Sequence, residues 1–336
     1  MKKLLLPLTL VSSVILAGCG SDDDDSRTTV VDVAQGDDRF TTLVTAIETA
    51  GLAATLEGDG PFTVFAPTNE AFAEYLTDNG LEATDLLAAD SLADILTYHV
   101  LPVEADSTAA ASIAGSESAN DQLVETVYGD DVLLSLSGSD LLVNDATVVQ
   151  ADVQADNGVI HAIDSVLEIP EKNALSDENK TITELVVALA GAQTGAEFTV
   201  LKDAVVAAGL DDDLGGEGPF TVFAPTDAAF ADLLQNAQGG PYDDLNDLVN
   251  ALGLEAVTDI LLQHVVSAKV NSNVVVLADG VSLATLNDEQ SITIGVSNGS
   301  VTADGSNVSV TDVYASNGII HVIDTVITTD DNPSAQ

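Results

Sequence analysis

Phe40, Leu43, Val44 and Ile47 recur at helical spacing, and Phe198, Leu201, Val205 and Val206 repeat the pattern further along. Each run predicts an amphipathic helix closed by a glycine, Gly51 in one case and Gly209 in the other. Gly60-Pro61 and Gly218-Pro219 then break the chain before short apolar runs, Phe62 to Phe65 and Phe220 to Phe223, which read as buried strands. Thr68 and Thr226 follow prolines and suit the N-caps of the next helices. Leu92, Ile95 and Leu96 lie on one helical face, as do Val257, Ile260 and Leu261, and each of these helices runs into a histidine. Downstream, Val132 to Leu136, Leu141 to Val143 and Ala146 to Val153 read as strands, with Asn157-Gly158 and Asn317-Gly318 as two-residue hairpin turns. Helices first and strands later predict an α+β fold.

Rare residues expose an internal duplication. The eight Phe residues form four pairs, 40 with 198, 62 with 220, 65 with 223 and 72 with 230, each 158 apart. His99 pairs with His264 at 165 and His161 with His321 at 160, so no Phe or His is left unmatched. The units run from 30 to 169 and from 181 to 328, joined by a polar linker at 170–180 and followed by a polar tail at 329–336. Each carries a full set of helix, strand and turn signals and is expected to fold independently.

Three blocks in each unit resemble the fasciclin domain family. They are Thr63-Val64-Phe65-Ala66-Pro67-Thr68, repeated from Thr221 to Thr226; Asp94-Ile95-Leu96-Thr97-Tyr98-His99, repeated from Asp259 to His264; and Asn157-Gly158-Val159-Ile160-His161, repeated from Asn317 to His321. The resemblance implies two tandem fasciclin-like domains, each a β-sheet wedge flanked by helices. It also implies adhesion: binding of a cell-surface or extracellular matrix protein or polysaccharide. In that family the helix-to-strand block is linked to recognition, which makes Asp94, Tyr98 and His99 the candidate partner-binding residues. The second unit departs at Gln263, where the tyrosine is missing.

Composition narrows the chemistry. Acids outnumber bases 55 to 8, a formal net charge of −47, and such a surface repels phosphate backbones, so nucleic-acid binding is excluded. Aromatic content is 4% with no Trp, so the core must be aliphatic. The one Cys rules out internal disulfides and Cys-cluster metal sites. It stands at Leu16-Ala17-Gly18-Cys19, after Lys2, Lys3 and a short apolar run, and the sequence resembles a bacterial lipobox in which Cys19 is acylated. Residues 1–19 are then a lipoprotein signal peptide and 20–29 an acidic stalk. Gly20 after the Cys favours outer-membrane sorting over inner-membrane retention, which places the chain in the cell envelope, periplasmic or surface-exposed.

Catalysis finds no support. Gly295-Val296-Ser297-Asn298-Gly299 matches a nucleophile-elbow pattern, but Ser291 to Val296 alternates as a strand leading to a turn, where that chemistry needs a strand entering a helix. The four histidines, flanked by aliphatic residues and lacking an adjacent carboxylate motif, read as half-buried structural groups, with no metal or cofactor expected. Acidic clusters such as Asp211 to Asp213 lack the spacing of a calcium loop and read as solvated loops, with weak calcium binding as the residual reading. A second function, from a different class, is the carriage of a small apolar ligand, a pigment or lipid, in a cleft of the sheet wedge.

Overall fold

A computed structural model describes residues 27–116, 119–192, 197–236, 240–287, 289–297 and 300–328. In the first unit seven strands, β1 (Phe62–Pro67), β2 (Val100–Leu101), β3 (Leu123–Glu125), β4 (Asp131–Ser137), β5 (Asp140–Val143), β6 (Ala146–Ala155) and β7 (Gly158–Ile163), form one sheet in the order β2-β1-β7-β6-β5-β4-β3. The second unit repeats it with β8 (Phe220–Pro225), β9 (Val265–Val266), β10 (Ser282–Ala284), β11 (Ser291–Ser297), β12 (Ser300–Ala303), β13 (Ser306–Ala315) and β14 (Gly318–Ile323). Only β1 with β7, and β8 with β14, pair parallel; every other neighbour is antiparallel. The architecture is α+β in both units.

Strand alternation divides each unit into two cores. Along β1, Val64 and Ala66 face a layer of helices that includes Thr41–Thr49, Asn69–Asp78 and Leu92–Tyr98, packing with Phe40, Leu43, Ile47 and Phe72. Phe65 points the other way, toward Tyr98, Leu101, Ala110, Val132 and Ile163. Burial on both faces explains why β1 reads as an unbroken apolar run. Thr68 caps the following helix as expected, its Oγ1 accepting from Ala71 N at 3.2 Å.

The parallel pair is closed by Asn157 and Gly158, in a role different from the expected turn. Ala155 pairs with Gly158, so the hairpin loop is Asp156-Asn157, one residue earlier. Asn157 instead ties three segments together: its Oδ1 accepts from Val30 N, and its Nδ2 donates to Leu56 O and Gly58 O, all at 2.8 Å. Gly158 is required by close approach, because a Cβ there would stand 2.1 Å from Phe62 O. Asn317 and Gly318 repeat the arrangement with Ile182, Leu214, Gly216 and Phe220.

One boundary differs from the sequence reading, and the linker and the two units are in contact. Thr28 and Thr29, assigned to the stalk, belong to the first unit: Thr28 exchanges hydrogen bonds with Asp156, and Thr29 caps the unanticipated helix Val30–Gln35. The linker is docked along β13, with Asn173 N donating to Asp312 O and Asp177 N to Tyr314 O, both at 2.9 Å. The units also share a core, since Leu133 of β4 lies among Val270, Val274, Val275 and Leu283 of the second unit. Cys19, the signal segment, most of the stalk and the tail from 329 lie outside the described residues.

Gly158→Ala should lower stability by at least about 2 kcal/mol, since the added methyl forces two paired strands apart. Gly51→Ala, at φ +69° with nothing within 4 Å of the new atom, should cost only about 1 kcal/mol. Thermal or denaturant unfolding of the two variants, compared with the wild type, checks the ranking.

Candidate functional site

The three residues singled out from the sequence separate in space. Tyr98 ends the helix Leu92–Tyr98 and is completely buried. Its hydroxyl donates to Asp131 O at 3.2 Å and accepts from Asn144 Nδ2 at 3.1 Å, with Asn271 Nδ2 of the second unit at 3.4 Å. Burial pushes its phenol well above the ordinary value. A surface contact through this ring is therefore corrected to an internal one, because the ring packs in the first unit's own core beside Phe65, Leu101 and Ile163, and only its hydroxyl reaches the second unit. His99 is buried as well: Nδ1–H donates to Ile95 O at 2.7 Å and Nε2 accepts from Leu167 N at 2.9 Å. One nitrogen must donate and the other accept, so the ring is neutral, and burial lowers its pKa to about 4. Only Asp94 is exposed.

The remaining histidines behave alike. His264 repeats His99 with Ile260 O and Ile327 N, and burial lowers it to about 4 too. His161 and His321 donate through Nε2 to Ala105 O and Val270 O and accept at Nδ1 from Asp152 N and Asp312 N. All eight ring nitrogens are committed to backbone groups, leaving no lone pair for a metal. Among the described residues no cluster of three or more His, Cys, Asp or Glu side chains could hold a metal ion. Around Ser297 the chain is a hairpin, Val296 pairing with Val301 and Ser297 with Ser300, so the geometry of a nucleophile elbow is missing there.

Asp94 and the half-buried Ile95 lie on the rim of a groove of about 660 Å³, walled by Tyr75 and Tyr128, the linker residues Pro170 and Lys172, and Asn273 of the second unit. A hollow of about 340 Å³ shares Tyr75, Asn79, Glu168 and Asn273 with it, so the two form one trough along the junction of the units. Asn273 Nδ2 donates to Glu168 O at 2.7 Å and helps hold its walls together. Lys172 is the only base among the lining residues; it pairs with Glu178 at 2.8 Å and lies over the rings of Tyr128 and Tyr314 at 5.7 and 5.2 Å.

Behind the trough lies a buried polar contact. The Asp130 carboxylate, wholly inaccessible, accepts from Tyr314 OH at 2.6 Å and Asn271 Nδ2 at 3.2 Å. Lys269 Nζ stands 3.1 Å from its Oδ1, close enough for an ion pair although no aligned hydrogen bond reaches that oxygen. These residues have no counterparts in the duplication. Where the first unit has Tyr98, Asp130, Asp131 and Leu133, the second has Gln263, Gln290, Ser291 and Thr293; where the second has Lys269, Asn271 and Tyr314, the first has Glu104, Asp106 and Gln154. Gln263 is buried within the second unit as Tyr98 is within the first, and it lacks the phenol hydroxyl that reaches across the junction. The sequence held a signal for this junction: unlike Phe and His, none of the five tyrosines has a repeat partner, and Tyr75, Tyr98, Tyr128 and Tyr314 all gather at the junction or its trough.

An apolar cleft in the second unit lies between the helices Ile182–Ala190 and Thr199–Ala208, with Val187 and Val206 exposed at its mouth and Phe223 and His264 at its base. It measures about 50 Å³, against the roughly 150 Å³ of an apolar cavity that takes up benzene.

A family model described as the fasciclin domain matches residues 38–170 and 196–329. The chain belongs to the fasciclin domain family. Protein sll1483 of Synechocystis is 43% identical over 147 residues, covering 44% of this chain and 76% of that protein. The transforming growth factor-beta-induced protein ig-h3 of Sus scrofa is 43% identical over 143 residues, covering 42% of this chain and 19% of its own length. Human periostin is 25% identical over 280 residues, covering 82% of this chain and 29% of its own. The matched regions therefore cover less than a third of those two animal proteins. Among solved structures, a FAS1 domain pair from the insect cell adhesion molecule Fasciclin I aligns with 85% of this chain and 95% of its own, at 22% identity and a TM-score of 0.38.

The neutral histidines give these fasciclin units an acid limit. With folded values near 4 against an ordinary 6.5, His99 and His264 contribute stability that is present above pH 6.5 and lost as the pH falls through 4, up to ~3 kcal/mol each. The melting temperature should fall across that window, and a His99→Gln, His264→Gln double variant should be less stable at pH 7 with a flatter acid fall.

Proposed function

We propose that the chain is a membrane-tethered adhesion or interaction protein of the cell envelope, held by acylated Cys19 and engaging cell-surface or matrix partners through its fasciclin pair. Family membership supports a general adhesion or interaction role. The observation that carries the finer reading is the trough at the junction, which both units and the linker build together and which no separate unit would possess. Within it Asp94 is the accessible member of the sequence-derived patch. Tyr98 and His99 support the trough from behind, Tyr98 by fixing the junction and His99 by pinning the helix end to Leu167.

Carriage of a small apolar ligand is the second reading, favoured by the apolar cleft of the second unit. At about 50 Å³ that cleft takes a pigment only if its two helices part. Colour or extractable lipid in protein purified from its native membrane would establish it; colourless, lipid-free preparations of the acyl-free chain would dismiss it.

Cys19→Ala should move the protein from the membrane fraction to the soluble one after a high-salt wash. Retention in the membrane would show that the anchor is elsewhere. For the trough, Asp94→Ala should weaken binding to cell-surface or matrix preparations by about fivefold, near 1 kcal/mol, while Asp259→Ala at the matching exposed position of the second unit should leave it unchanged. Equal effects of the two variants would remove the trough as the contact.

A further inference from the structure

Asp131 adjoins the buried ion pair and faces the second unit through both its backbone and its side chain. Its N–H donates to Lys269 O at 3.1 Å, and its Oδ2 accepts from Lys269 N at 2.6 Å. The side chain is only 5% exposed. The charged and titratable groups around it come from every packed element. Glu125 lies directly across on β3, Asp130 precedes it, Lys269 belongs to the segment after β9, Tyr314 on β13 bonds Asp130, and Tyr98 donates to the Asp131 carbonyl. Three carboxyl groups thus cluster here, and the Lys269 ammonium is already paired with Asp130.

We propose that the contact between the two units is a latch that tightens in mild acid and loosens toward neutral pH, with the Asp131 carboxyl as its proton-sensitive element. A protonated Asp131 still accepts from Lys269 N and adds no charge, whereas an ionised one places a second anion in a buried space that holds one cation. The group is raised from 3.8 to about 7, by burial first and by Glu125 and Asp130, against the opposing pull of the Lys269 N–H and ammonium. The sign follows: a carboxyl raised in the closed state favours closure below its closed-state value, and that preference is lost as the pH rises through it. If the open state has the ordinary value, the ratio of closed to open changes by up to tenfold per pH unit, about a hundredfold between pH 5 and pH 8, and levels off above. The histidines act in the opposite sense, so a tightening in acid is not explained by overall stability.

The test is amide exchange of the full chain at pH 5 and pH 8, expressed as protection factors so that the intrinsic pH dependence is removed. The Asp131 and Lys269 amides, which bridge the units, should be about a hundredfold better protected at pH 5, while amides of the β1–β7 pair should show no such rise. Asp131→Asn should abolish the difference and keep protection high at both values. Asp131→Ser, which installs the residue that the duplication carries at 291, should also flatten it and decides the matter if the Asn variant fails to fold. Equal protection of the wild type at both pH values, or an unchanged pH response in a folded variant, overturns the proposal. The readout involves no partner, so its failure leaves the adhesion reading standing.

Discussion

A parallel strand pair buried on both faces has nowhere to put an unpaired backbone group or a surplus side-chain atom. The fold of each unit depends on meeting that constraint at the point where β7 begins against β1. Gly158 allows the backbones to meet, and Asn157 beside it collects the first amide of the leading helix and the carbonyls of Leu56, at a helix end, and Gly58. Because three segments far apart in sequence converge on one amide side chain, the helical layer is set in register with the sheet.

The duplication copied this clamp faithfully and let the junction diverge. Every backbone-serving residue has its twin: Asn157 and Asn317, Gly158 and Gly318, His99 and His264, Thr63 and Thr221. The residues that join the units have none. In a chain with so few bases, placing two lysines at one junction is a strong commitment, and both are spent on holding together units whose surfaces otherwise repel each other.

Much of this was legible in the residues. The Phe and His spacings revealed two units, the apolar runs marked β1 and β8, and Thr68 announced a helix start. Tyr98 was misread as a contact residue because periodicity gives the face of a helix but not what lies against that face, and here it is the unit's own second core, with only the hydroxyl reaching Asn271. Asn157-Gly158 imitates a hairpin turn because the same two residue types serve tight turns and close backbone approaches. The linker looked free because its polar residues bond to a strand edge through their main chain, which composition does not reveal.

The junction is heterologous, one face of the first unit against a different face of the second, and a contact of that kind has no built-in stopping point. Each unit carries the shapes of both faces, so by shape alone a second molecule could stack its first unit onto the second unit of another, and so on into a filament. The chemistry of the two joints would differ. At that imagined joint Glu104 would stand where Lys269 belongs, Gln290 where Asp130 does, and Gln263 where the tyrosine supplies its hydroxyl. The unmatched residues thus withhold from such a joint the ion pair and the phenol hydrogen bonds that join the two units within one chain.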